Sequence, residues 1–418
     1  MKRIAIIGAG VSGLTVAQLL SGKADIVVFE KKSKAGGLIS CVRVNGSLFH
    51  TCGGHVFNTK NQQVLDWFWQ RFDREKDFHK TDRNSVIFLP NGQHIPYPIE
   101  NFAYLLGDSV QKNIIHDLLA IAAVESQSVE NFQDFLQYRF GETLYRLYFE
   151  PYNKKVWRRS LSDVPIAWLA GKLPMPTVEE IIYNNFNRVA EKQFVHSSFF
   201  YELHNGSQLI ADRLSEDVNI KCNSHIEQIV RHGSGWLVNG EQFDKIVFCG
   251  NIKDIPFLLT GLDLESYANA IDTLQYHGTT AVFCEIDANP YSWIYLPDDK
   301  YEAHRIICTG NFAASNNGTI PANRITATIE FTDAICLDAI HKNLKQIPLH
   351  PTYITHKYNQ FTYPIQQVGT REMIVSLKRT LSSKGFYMTG RFADWEYYNM
   401  DAAMAAAMVT VEQVVKEQ

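Results

Sequence analysis

The 418-residue chain is too long for one simple core and is expected to fold as two or three packed lobes. Its 45% hydrophobic and 20% charged residues are the composition of an ordinary folded soluble protein, and aromatics at 12% suit large cores or a ring-lined pocket. Forty Lys and Arg against 44 Asp and Glu leave a net charge of −4, so no basic field recruits nucleic acid or an acidic membrane surface.

No uncharged apolar stretch reaches the roughly 18 residues that a spanning helix needs, so no membrane span is expected. The N-terminal apolar run is broken by a glycine turn and does not read as a signal peptide. Seven cysteines without CxxC spacing, several in strand-like runs such as Val247-Phe248-Cys249, suggest buried free thiols in a reducing cytoplasm. Neither disulfides nor a metal site is expected from them.

In chain order, residues 3–7 read as a buried strand, 11–21 as a helix packed on it, and 25–30 as a second, parallel strand. Short strands and turns follow over 40–57. From about 61 to 190 the pattern is mainly helical, over 62–72, 102–106, 110–124, 129–140 and 142–149. It is interrupted at 84–99 by a hairpin with its turn at Asn91-Gly92. A short helix at 207–214 precedes strands at 226–231 and 236–238. Residues 244–250 then read as a return strand into the first sheet. Residues 272–332 alternate in β fashion, at 279–286, 293–296, 305–309 and 325–331. A last apolar strand at 385–390 leads into a helix at 400–416.

The first strand and helix enclose Gly8-Ala9-Gly10-Val11-Ser12-Gly13. Gly8 permits a tight turn, Gly10 lets the backbone approach a pyrophosphate at a helix N-terminus, and Gly13 lets helix and strand pack closely. Glu30 lies 22 residues on from Gly8, at the end of the second strand, placed for ribose hydroxyls. After it come Lys31-Lys32-Ser33-Lys34-Ala35-Gly36-Gly37-Leu38. A glycine pair after the ribose-binding acid resembles FAD proteins of the amine-oxidase type and permits close approach of a bulky cofactor. FAD is therefore expected rather than NAD, and no second GxGxxG marks a resident NAD(P)H.

The expected fold class is α/β: a Rossmann-type FAD-binding lobe with an inserted helical domain and a mainly antiparallel β-sheet substrate domain. The boundaries read as 1–80, 204–265 and 366–418 for the discontinuous FAD-binding domain. They read as 100–195 for the helical domain, and 81–99 with 266–365 for the sheet domain.

Three further stretches occur in order. Cys52-Gly53-Gly54-His55-Val56-Phe57-Asn58-Thr59 resembles the histidine loop of UDP-galactopyranose mutases. Phe149-Glu150-Pro151-Tyr152-Asn153-Lys154-Lys155-Val156-Trp157 resembles their nucleotide-binding helix, closer to the eukaryotic type. Gly390-Arg391-Phe392-Ala393-Asp394-Trp395-Glu396-Tyr397-Tyr398-Asn399-Met400-Asp401 resembles their C-terminal flavin and diphosphate segment. Between them lie Trp293–Pro297, His304-Arg305 and Tyr363-Pro364.

The resemblance implies a pyranose–furanose interconversion of a nucleotide sugar with no net redox change. Reduced flavin N5 would attack the anomeric carbon and expel UDP, which is covalent catalysis by a cofactor. The cofactor implied is FAD, active when reduced, with a UDP-sugar as partner and room for an external reductant such as NAD(P)H. It implies cofactor contacts from Gly8, Gly10, Gly13, Glu30, Gly36, Gly37, Leu38, Arg391 and Asp401.

The residue chemistry agrees. A leaving diphosphate suits the planar fork of Arg305 and the phenols of Tyr295, Tyr363 and Tyr397. Tyr152 or Trp157 offers a uracil ring an aromatic face, and Asn153 a base-edge partner. His55, beside two glycines, suits the flavin edge on an adjustable loop. His55, Arg305 and Lys172 are the catalytic candidates. Lys172 stands where the family usually has arginine, four residues after the Trp168 position, and keeps the charge while losing the bidentate fork. Asn205-Gly206 replaces a usual glycine pair, and Asn399 an aspartate of the bacterial pattern. The competing class is an FAD oxidoreductase of the amine-oxidase or protoporphyrinogen-oxidase type, which shares the cofactor motifs and uses oxidised flavin; an oxidase of an uncharged amine would not need the 152–157 segment or the arginine–tyrosine set. A non-enzymatic flavin scaffold gives these residues no reason to recur in order.

Overall fold

The structure, a computed structural model, describes residues 1–124, 129–166, 176–190 and 197–416. The chain begins with β1 (Arg3–Ile7), α1 (Val11–Leu20) and β2 (Asp25–Phe29), followed by the short pair β3 (Cys41–Val44) and β4 (Ser47–His50). Helix α2 (Gln62–Trp69) leads to β5 (Phe78–Asp82) and the hairpin β6 (Ser85–Phe88) and β7 (His94–Pro96). Helical structure then runs through a 3-10 stretch at 99–105, α3 (Asp108–Ala122), α4 (Phe132–Leu144), a π turn at 145–149, α5 (Glu150–Trp157) and α6 (Val178–Phe186). The chain returns through β8 (Ser198–Glu202), α7 (Gln208–Leu214), β9 (Ile220–Lys221), β10 (Ile229–His232), β11 (Gly235–Val238), β12 (Glu241–Phe243) and β13 (Lys245–Phe248). Next come α8 (Ile255–Leu258), β14 (Leu259–Thr260), α9 (Glu265–Asp272), β15 (Gln275–Asp287), β16 (Trp293–Tyr295), β17 (Arg305–Ile307) and β18 (Arg324–Thr332). The last elements are α10 (Leu337–Leu344), β19 (Thr352–Ile365), α11 (Thr370–Ser382), β20 (Phe386–Met388) and α12 (Met400–Lys416).

The first sheet has the order β20-β13-β1-β2-β9, all parallel. Its central strand, β1, reads as continuous apolar sequence because helices and a second sheet cover both faces. Ile4, Ile6 and Val28 pack with Leu14, Val16 and Ala17 of α1 and Met404, Ala407 and Val411 of α12, while Ala5, Ile7 and Val27 pack with Trp236 and Phe243 on the other side. The return strand expected near 244–250 is β13, paired directly to β1.

The large sheet has the order β19-β15-β18-β17-β16-β6-β7 and is antiparallel except where β6 lies parallel to β16. The fold is α/β, with a Rossmann-like lobe, a helical portion and this mainly antiparallel sheet. β18 is buried along nearly all of its length, Thr326, Thr328 and Glu330 included. A carboxylate on such a strand must find partners within the protein.

Two departures from the pattern reading stand out. Residues 78–82 and 198–202 form the antiparallel pair β5–β8, where no strand was expected. A cluster of Phe57, Phe68, Phe72 and Phe78 rings anchors this pair to α2 and the Rossmann core. The 14-residue β19 was not expected as a strand, yet it pairs with β15 along almost its full length. No helix among the described residues is long and apolar enough to cross a membrane.

Candidate active site

The glycine turn is built from backbone constraints. Gly8 has φ +102°, and a Cβ there would sit 3.3 Å from the Cys249 carbonyl oxygen. A Cβ on Gly13 would fall 1.9 Å from the Gly8 carbonyl oxygen, so helix and strand close only around bare glycine. Gly10 is the N-cap of α1, with no side-chain cap on the helix. The free amides of that first turn are donors for an anion. Gly36 and Gly37 face this turn. The Gly36 N–H donates to the Ala9 carbonyl at 2.9 Å, and a Cβ on Gly37 would come 3.1 Å from the Gly10 Cα. Glu30 is buried, and its two oxygens accept the N–H groups of Ala9 and Lys32, both at 2.9 Å.

The C-terminal segment arrives at the same place. A Cβ on Gly390, which has φ +113°, would lie 3.0 Å from Ser12 Oγ at the start of α1. Asp394 holds this segment from below, accepting the Gly390 N–H at 3.1 Å and pairing with Lys378 of α11. Asp401 is half-buried in the first turn of α12, and Leu38 half-buried in the 3-10 turn at 37–39.

His55, on the histidine loop, meets this cradle at the Leu38 backbone. Burial depresses its imidazole to about 4, with help from the cations Arg391 and Arg305, while backbone hydrogen bonds to Cys52 and Leu38 pull weakly the other way. It is neutral at physiological pH, and its Nε2 is buried without a hydrogen-bond partner. Behind it, His50 is fully buried and depressed to about 3 by desolvation and then by His55. Its ring nitrogens meet Tyr201 Oη at 2.8 Å and Ser207 Oγ at 3.3 Å.

Arg305 is aligned on β17 directly opposite Glu330 on β18. Glu330 is 0% exposed; one oxygen accepts from Arg305 Nε and the other accepts the Gly53 N–H at 2.7 Å. Burial alone would lower the guanidinium; Glu330, followed by Tyr363, holds it well above its usual value. Arg305 Nη2 also donates to Tyr363 Oη at 3.2 Å. Tyr363 stacks on Tyr397 with ring centres 5.1 Å apart, and the Arg391 guanidinium lies 4.0 Å from the Tyr397 ring centre. The geometry thus brings Arg305, Tyr363, Tyr397, Arg391 and His55 together beside the glycine cradle.

A second group of rings adjoins Arg305. Tyr152 of α5 stacks on Tyr148 at 5.4 Å and meets Tyr295 edge-on at 5.5 Å; Tyr295 also contacts Tyr97. Arg83 donates to Tyr295 Oη at 2.8 Å. Glu100, next to Tyr97 and Tyr148, is buried, and desolvation raises its carboxyl to about 7. His304 is 2% exposed with both ring nitrogens unpartnered, held neutral by burial and then by Arg305. Arg83, Glu100 and Glu330 were missed in the sequence. For Glu330 the missing signal was a lone acid inside the alternating run Ile325–Phe331.

Trp157 requires correction. It was offered, as an alternative to Tyr152, as an aromatic face for a base, but it is 2% exposed, packs edge-on against Phe132, and closes α5 against the helical core. A ring with no free face cannot stack on a ligand. The Asn153 amide donates back to the Phe149 carbonyl at 2.7 Å, which leaves its oxygen as the free end. Lys172 and Trp168 lie outside the described residues.

The residues fit FAD. The gap between Gly10 and Gly37 is one that a side chain would fill, the α1 N-terminus is uncapped, and Glu30 retains acceptor capacity. His55 Nε2 and Arg391 Nε are buried and lack hydrogen-bond partners. Such atoms are costly unless a ligand satisfies them.

The glycine cradle and the parallel sheet define a protein with a Rossmann-like dinucleotide-binding lobe. The profile of the NAD(P)-binding Rossmann-like domain matches residues 6–72. Within that class, the resemblance to UDP-galactopyranose mutases extends over the whole chain. The UDP-galactopyranose mutase of Mycoplasma genitalium is 21% identical over 99% of this chain and 94% of its own. A probable UDP-galactopyranose mutase of Klebsiella pneumoniae is 27% identical over the same shares. A crystal structure of reduced UDP-galactopyranose mutase superposes with a TM-score of 0.86 at 20% identity, covering 100% of this chain and 96% of that one.

Proposed function

We propose that this chain is a flavin-dependent nucleotide-sugar mutase that interconverts pyranose and furanose forms of a UDP-sugar. The observation that carries this reading is the cluster of Arg305, Tyr363, Tyr397 and Arg391 beside the glycine cradle: two guanidinium groups and two phenols in one half-buried place. An uncharged amine substrate has no use for them; a leaving diphosphate does. Bound and reduced, FAD would supply a nucleophile, its N5, at the anomeric carbon.

The chain's own groups do the rest in this reading. Arg305, fixed by Glu330, keeps its Nη side for the diphosphate and stabilises the negative charge that builds as the glycosidic oxygen leaves. Tyr363 and Tyr397 donate phenolic hydrogen bonds to the same group, and Tyr295, steadied by Arg83, completes the wall. Tyr152 gives the base an aromatic surface, with the Asn153 oxygen free for a base-edge donor. His55, neutral, presents an unpartnered nitrogen toward the cofactor edge. Lys172 would add a point charge. An external reductant such as NAD(P)H would be needed only to keep the cofactor reduced, since the isomerisation consumes no electrons.

The test is to incubate dithionite-reduced protein with UDP-galactopyranose and, separately, UDP-N-acetylgalactosamine, and to resolve furanose by chromatography. Furanose from reduced protein, none from oxidised protein, and no reductant consumed per turnover are expected. Peroxide formed stoichiometrically from an amine or porphyrinogen, without furanose, would establish the oxidase class instead.

A further inference from the structure

Glu330 is bonded at two places that the proposed chemistry uses separately. It is 0% exposed at the centre of the large sheet, with Ala281 opposite on one side and Arg305 on the other. Oε2 takes the Arg305 Nε–H and Oε1 takes the Gly53 N–H at 2.7 Å. Gly53 has φ +65°, and a Cβ there would lie 3.3 Å from His55 Nε2, so the His55 ring packs directly against Gly53. A single carboxylate therefore bridges the arginine facing the diphosphate site and the loop facing the flavin site.

We infer that Glu330 is a positioning residue that couples nucleotide binding at Arg305 to the Gly53–His55 loop, so that UDP affinity and flavin potential depend on each other through it. This rests on the mutase reading. A diphosphate taking the Nη side of Arg305 shares the guanidinium's charge with Glu330, weakens its hold on Nε and shifts the carboxylate's hydrogen bonding toward Gly53. Reduction of the flavin beside His55 acts on the same loop from the other end. Linkage makes the two effects equal in size. A tenfold tighter hold on UDP in the reduced state corresponds to a rise of about 30 mV in the two-electron potential on adding UDP.

Glu330→Gln retains the shape but offers one acceptor oxygen where two donors converge; Glu330→Asp keeps the charge but is too short to span both. The flavin midpoint potential is measured with and without UDP in wild type and both variants, alongside UDP affinity in each redox state by calorimetry. In wild type we expect at least a tenfold affinity difference and a matching shift; in the variants we expect FAD and UDP still to bind, with the shift reduced at least threefold. Variants that keep the full shift, or a wild type that binds UDP equally in both states, overturn the coupling and leave the mutase reading intact. A wild type that binds no UDP in either state overturns the mutase reading, and the coupling with it. Should neither variant hold FAD, amide hydrogen exchange of residues 52–55 in the reduced wild type decides. UDP is expected to change protection at Gly53 severalfold, and no change there overturns the coupling.

Discussion

Gly10 and Gly13 belong to one motif but are bare for different reasons, and Ala at each should separate fold from cofactor. An Ala Cβ at position 13 would sit 1.9 Å from the Gly8 carbonyl oxygen and 3.3 Å from Ile6 Cγ2. That first contact is over ~1 Å too close, and Gly8 has little freedom to retreat because its N–H is bonded to the Phe29 carbonyl at 2.8 Å. Overpacking costs about 1–3 kcal/mol, of which the ~1 kcal/mol that Ala gains over Gly in a helix recovers only part. Gly13→Ala should therefore destabilise the FAD-free protein by about 1–2 kcal/mol. At Gly10 the backbone has φ −79° and ψ −178°, open to any residue, and the nearest atom to an added Cβ is Gly37 Cα at 3.9 Å. The FAD-free Gly10→Ala protein should stay within about 0.5 kcal/mol of wild type. Added FAD at 100 times its Kd should stabilise wild type by about 2.7 kcal/mol and Gly10→Ala scarcely at all. Urea unfolding with and without FAD, together with flavin absorbance after gel filtration, measures both quantities. A Gly10→Ala protein that keeps its FAD stabilisation, or that is crippled without FAD, would refute the assignment of this gap to a phosphate.

Arg305→Ala should weaken UDP binding to the reduced protein by about ten- to a hundredfold, the worth of one charge-assisted contact of roughly 1.5–3 kcal/mol; titration followed by flavin fluorescence measures it, and unchanged affinity removes Arg305 from the site. Trp157→Ala should cost about 3–5 kcal/mol of stability, since its ring is core. Tyr152→Phe should leave stability nearly unchanged, and equal thermal shifts for the two would contradict the packing described. Between pH 6.5 and about 4 the unfolded chain protonates His50 while the folded chain does not, so this residue makes stability rise with pH, by roughly 1.4 kcal/mol per unit. Glu100, with its carboxyl raised to about 7, acts oppositely between pH 4.5 and 7. The readout is therefore the difference between wild type and His50→Gln. The variant should lose stability less steeply on acidification below pH 6.5, and parallel curves would show that His50 is not held neutral.

The parts of this molecule governed by local rules could be read directly. GxGxxG between strand and helix, a glutamate ending the second strand and the Asn91-Gly92 hairpin all depend on residues within a few tens of positions. β19 escaped notice because it is a half-buried edge strand with polar residues at many positions, so alternation alone does not distinguish it from loop. β5 and β8 escaped because each is short and finds its partner more than a hundred residues away. Trp157 was misjudged because a motif fixes a residue's place in sequence but not which side of its helix the core takes. Glu330 was passed over because a single acid on a strand reads as a solvent-facing position. Only the pairing of β17 with β18 shows it buried against Arg305.

The order of the first sheet has a consequence for how the protein comes off the ribosome. β1 is made first of its sheet, but its neighbour β13 follows some 240 residues later and β20 some 380 residues later, after α11. At translation speeds of about 5–20 residues per second, the glycine turn waits on the order of 20–75 seconds for the strand and helix that close its sheet. During that interval the apolar faces of β1 and α1 that α12 later covers have no permanent cover. Synthesis of β20 and α12, not of the fingerprint motif, is the step at which the cofactor lobe becomes complete. A nascent chain stalled before β20 would carry an intact GxGxxG and bind nothing.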